Sequence, residues 1–226
     1  MTELARHSTD YAVVEREPPQ LMAENLRVAA QLWSSATAFF FFAFLFAYFY
    51  LRSLDQADAW RPKHVDPSFW LGTFVTLAVV AAALLVRLGL ADHRADRRPA
   101  WRVKGAVALA LLVVALVLQV TEWATQGFGP TDGGYASVYL GWTGMQSFFL
   151  LGLSFWLETT LATSIRYRGT LGRTVEPGEA SGDPDRTAHD IEDPVSLVRP
   201  ELVALSFFAT FLAGVVVISW FVLYVL

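Results

Sequence analysis

Few residues in this 226-residue chain are placed to do chemistry, and the most promising lie between Leu118 and Gln146. Glu122 sits about three residues from the end of an apolar run, with Gln119 one turn before it. At i and i+3 the two share a helix face. An ionisable group inside an apolar run serves either a proton or water path or a hydrogen bond to a neighbouring helix. The second is the simpler reading and the one favoured here. Glu158, followed by Thr159, Thr160 and Thr163, stands near the end of the next run. It reads as an interfacial carboxylate facing water or Arg166. The histidines His7, His64, His93 and His189 all fall outside the apolar runs. A membrane-buried haem takes its axial ligand from His or Met, and Met145 stands alone in its run. The absence of cysteine excludes disulfides, thiolate metal sites, iron–sulfur clusters and cysteine nucleophiles. The turn Gly127–Gly134 has the wrong spacing for a phosphate-cradling loop, and no nucleophile elbow occurs. The expected catalytic, cofactor-binding and metal-ligating residues of this chain are therefore none.

The elements that carry these residues follow from composition. The chain is 54% hydrophobic with a mean hydropathy of +0.41, and its charges crowd into a few blocks. That distribution predicts an all-α, polytopic transmembrane bundle. Five spans are expected, at about 26–51, 68–90, 103–125, 135–165 and 200–226. Residues 1–25, with Pro18-Pro19 and five acids, read as a polar arm and not as a signal peptide. Residues 166–199, rich in Arg, Asp, Glu, Pro and Gly, read as a polar loop of low order. Five spans put 14 of the 17 basic residues on one side, which makes the N-terminus and the 166–199 loop cytoplasmic and the C-terminus external.

Within the spans the polar residues point to packing. Ser34, Ser35 and Thr37 are expected to return hydrogen bonds to their own helix or to join a neighbour. Gly141, Gly144 and Gly152 would let helices approach closely. The paired discontinuous helices of many transporters are missing. Five spans without ligands, nucleophiles or a central charged pair describe a packing or accessory subunit whose partner lies in the membrane.

The ordered motifs sharpen this. The chain carries Gln119, Glu122-Trp123, a polar turn, Tyr135-Ala136-Ser137-Val138-Tyr139 and Thr143-Gly144. Its first span carries Trp33-Ser34-Ser35, Phe39-Phe40 and Leu45-Phe46-Ala47-Tyr48-Phe49, with Trp60-Arg61-Pro62 beyond it. Over residues 26–165 this order resembles subunit III of the haem–copper oxidases in its short, five-span bacterial form. Departures mark it as divergent. Ala36 stands where the family has a buried glutamate, and Gln146 and Phe149 stand where it has histidines. The fifth span also lacks the family's His and Asp. Roles that the family assigns to those residues are not carried over.

The resemblance implies a non-redox accessory subunit of a bacterial respiratory terminal oxidase in the plasma membrane. Such a subunit packs against the haem-bearing subunit I, holds phospholipid, and supports turnover and proton uptake. Haem and copper are then expected in the partner subunits I and II, and nothing points to nucleic acid. The residues expected to carry packing or lipid contact are Gln119, Glu122, Trp123, Tyr135, Ser137, Thr143, Gly144, Gln146, Trp33 and Ser35. The alternatives are a subunit III-like partner of a nitric oxide reductase, or a small membrane transporter or channel component.

Overall fold

A bilayer offers the backbone no water, so a long apolar segment satisfies its N–H and C=O groups internally by forming a helix. The computed structural model describes residues 19–55, 60–166 and 195–226. Its helices are α1 (Pro19–Ser53), α2 (Phe69–Arg94), α3 (Arg98–Thr125), α4 (Gly134–Arg166) and α5 (Val195–Trp220), with one π-helical turn over Phe221–Val225 extending α5. The described residues contain no strand, and five helices are long and apolar enough to cross a membrane. Most of the expected N-terminal arm and of the 166–199 loop, residues 1–18 and 167–194, lies outside the described residues.

The helices pack as a ring, α1–α4–α3–α2–α5, with α4 and α5 also touching each other across it. α5 is the most enclosed and α1 the least. Hydroxyls inside the spans bond to their own helix as expected. Ser34 donates to the Ala30 carbonyl, Ser35 to Gln31 and Thr37 to Trp33, all within 2.9 Å.

Several helices extend beyond the apolar spans. α1 starts at Pro19, because proline is tolerated in a first helical turn and the polar residues that follow can stay solvated outside the lipid. α2 and α3 run into the charged stretch Asp92–Arg98, leaving only the turn Ala95–Arg97 between them. Asp92 explains why. It is buried in the last turn of α2, forms an ion pair with Lys104 of α3, and accepts from Arg97 at 2.8 Å. The charges that mark this loop in sequence thus clamp a tight hairpin. Asp96 closes it in the left-handed region, at φ 59°, a conformation Asp adopts more readily than most residues. α5 begins at Val195, before Pro200. A proline there removes one backbone donor near the helix start.

Trp101, fully buried, fastens the α2–α3 hairpin to α4. A Cβ on Gly89 or on Gly105 would lie 2.9 Å from its ring, and its Nε1 donates to Ser164 Oγ at 3.1 Å. Arg102 adds a bond to the Ser164 carbonyl at 2.6 Å. At the opposite end Tyr48, Trp60, Tyr135 and Tyr139 form an aromatic cluster, with the Arg61 guanidinium 4.5 Å from the Tyr135 ring centre. That end holds the polar site.

Candidate functional site

The α3 spacing that puts Gln119 and Glu122 on one face directs both into the bundle, where they are 2% and 1% exposed. Gln119 Nε2 donates to Glu122 Oε2 at 3.1 Å. The Tyr224 hydroxyl, from the π-helical turn beyond α5, lies 3.0 and 2.9 Å from the two carboxylate oxygens. Tyr139 of α4 extends the chain, its hydroxyl 3.2 Å from that of Tyr224. Glu122 therefore joins α3 to the end of α5, and Tyr224 passes the connection to α4.

Tyr224 reaches this position because Gly72 of α2 leaves room for it. A Cβ at Gly72 would fall 2.3 Å from the phenol ring. Around this centre, Trp123 Nε1 donates to Thr143 Oγ1 at 3.1 Å, tying α3 to α4. Trp142 Nε1 donates to Ser219 Oγ at 2.7 Å, tying α4 to α5. The Tyr135 hydroxyl donates to the Leu223 carbonyl at 2.5 Å, and its backbone N–H to the Trp60 carbonyl at 2.9 Å. Gln146 is buried on the same side, its Oε1 without a partner. It borders a cavity of about 10 Å³ lined also by Thr76, Gln119, Thr143, Ser219 and Tyr224. That is roughly the space of one water molecule.

Six of the ten expected residues thus meet at one end of the bundle: Gln119, Glu122, Trp123, Tyr135, Thr143 and Gln146. Ser137 stays on the surface and holds the preceding turn, donating to the Pro130 and Gly133 carbonyls. Trp33 and Ser35 lie on the exposed side of α1. Trp33 meets the edge of Phe149 at 6.2 Å, while Ser35 bonds only within its own helix. The glycine expectation holds at one position of three. A Cβ on Gly141 would lie 3.1 Å from the Phe44 ring of α1, whereas one on Gly144 or Gly152 would meet nothing within 4 Å. The closest approaches are at Gly72 and Gly89, which face the Tyr224 and Trp101 rings across helix interfaces, at Gly105, beside Trp101 of its own helix, and at Gly134, beside Trp60.

Tyr224 is the participant that the sequence reading passes over, as one more aromatic residue at a span end. A usable signal exists: it and Glu122 both lie within a turn of the same end of their spans. Glu158 is exposed on α4. Of the histidines, His7 and His189 lie outside the described residues. His93 ends α2 with its Nδ1 buried and without a partner.

Chemically, the Glu122 cluster is a set of hydrogen bonds between helices. Its members are one carboxylate, one amide, phenols and indoles. No three His, Asp or Glu side chains among the described residues gather closely enough to hold a metal ion. No protein-family model and no curated protein matches this chain.

Proposed function

We propose that this chain is a non-redox accessory subunit of a bacterial respiratory terminal oxidase, similar to subunit III, packing against the haem-bearing subunit I. The observation that carries the reading is where the subunit III-like motif residues fall. Gln119, Glu122, Trp123, Tyr135, Tyr139 and Thr143 are bonded to one another or across to α5. The likeness carried by the α3–α4 hairpin thus coincides with bonds that hold the helices together. The family's ionisable residues, replaced here by Ala36, Gln146 and Phe149, are not needed for that role. Haem and copper chemistry belongs on this reading to partner chains.

Two apolar crevices beside α1, about 440 and 210 Å³, are lined by residues such as Trp33, Phe149 and Trp156, and Phe41, Trp142 and Phe211. They offer room for acyl chains and support the lipid-holding part of the proposal. Support for turnover and proton uptake would follow indirectly, through the stability of the partner. Glu122 is buried among hydrogen bonds to Gln119 and Tyr224, which favours this packing role over a hydrated transport path.

The test is purification of the tagged full-length chain from its host in mild detergent, followed by a reduced-minus-oxidised spectrum. A co-purifying haem protein with an oxidase spectrum is the expected result. Recovery without any haem partner overturns the proposal, and the haem spectrum of a nitric oxide reductase moves the chain to that complex.

A further inference from the structure

The arginine-rich end of the bundle has a groove between α2 and α5. Four basic residues there are engaged: Lys104 and Arg97 with Asp92, Arg98 with Asp96, and Arg102 with Ser164. Arg87 and Arg94 of α2 are not, for among the described residues neither forms an ion pair. Spaced seven residues apart, they lie on one face of α2 about two turns from each other. Both line this groove of about 360 Å³, with Leu90 beside them and Ser206, Phe207 and Thr210 opposite. The nearby carboxylates are turned away: Asp92 is held by its two cations, and Glu201 lies on the α4 side of α5 beside Thr160.

Two exposed guanidinium groups that share a groove and form no ion pair among the described residues make its mouth attractive to an anion. From Arg87 the helical spacing carries the α2 face away from this end through Leu84 and Leu77, both exposed. The α5 face continues in the same direction from Thr210 through Gly214, where a Cβ would meet nothing within 4 Å, to the exposed Val217. The groove is thus cationic at its mouth and apolar along its length.

We infer that the α2–α5 groove binds an anionic phospholipid, its phosphate held by Arg87 and Arg94 and an acyl chain lying between the two helices. The inference rests on the membrane-spanning fold and is independent of the oxidase reading. Arginine suits the task, since its planar donors fit phosphate oxygens in pairs.

The probe is dioleoylphosphatidylglycerol added to the purified full-length chain in detergent, with binding read by native mass spectrometry. Dioleoylphosphatidylcholine and inorganic phosphate are the comparison arms. Arg87→Gln/Arg94→Gln should weaken retention of the anionic lipid roughly 30-fold, at five- to sixfold for each basic side chain. Arg87→Lys/Arg94→Lys should keep most of it, and Arg98→Gln, which changes a paired residue, should leave it unchanged. Should the double glutamine variant fail to fold, Arg94→Gln alone, at the exposed helix end, should still show the single-residue loss. Equal retention of the two lipids, or undiminished retention by a correctly folded glutamine variant, overturns the proposal. Displacement of the lipid by millimolar inorganic phosphate would make this a free-anion site and also overturn it.

Discussion

Replacing Glu122 tests the central cluster directly. Glu122→Leu leaves Gln119 Nε2 and one phenol proton of the Tyr224–Tyr139 pair without an acceptor, in a place where water is scarce. A buried donor left unsatisfied costs about 1–3 kcal/mol, whereas interhelical hydrogen bonds measured in membranes average only about 0.6 kcal/mol. Two such losses bracket the effect at about 1–6 kcal/mol. Glu122→Gln preserves the shape. Its amide oxygen still accepts from Gln119 and its amide N–H₂ can donate to the Tyr224 oxygen, so the loss stays within about 1 kcal/mol. For a chain of this size 1 kcal/mol moves a melting midpoint by about 2–4 °C. In dodecylmaltoside, followed by circular dichroism, Glu122→Leu should therefore melt several degrees below Glu122→Gln. The double change with Tyr224→Phe should fall short of additivity, because the two residues share the same bond. Equal midpoints for the two Glu122 variants, or strict additivity with Tyr224→Phe, would refute the role assigned to this carboxylate.

Glycine substitutions separate close approach from open space. Gly72→Ala drives a methyl into the Tyr224 ring and should cost about 1–3 kcal/mol, whereas Gly144→Ala should be neutral or stabilise by up to about 1 kcal/mol, both read as melting midpoints. Asp92→Asn removes the anion shared by Lys104 and Arg97 and should lower the melting midpoint; the loss should shrink in Lys104→Gln, which no longer needs neutralising. The topology expectation can be read by labelling. With no cysteine in the chain, Thr131→Cys should react with an impermeant maleimide added to intact cells, and Ala95→Cys only after lysis. The reverse pattern would invert the orientation argued from the basic residues.

The sequence by itself determined the five helices and the shared face of Gln119 and Glu122, because both follow from local rules. A long apolar run in lipid must be helical, and residues three apart on a helix are neighbours whatever surrounds them. It also marked the motif hairpin, most of whose residues the structure draws together. Only the tertiary structure decided what each face meets. In a membrane the lipid side of a helix is as apolar as the packed side, so periodicity that would expose the core of a soluble helix is flattened here. That is why Gly144 and Gly72 look alike in sequence, although only Gly72 receives a ring. It is also why Tyr224, 102 residues from Glu122, carries no local sign of its partner. The same limit applies to the arginines: all read as one basic cluster, and only the fold pairs Arg97 and Lys104 with Asp92 while leaving Arg87 and Arg94 facing an open groove.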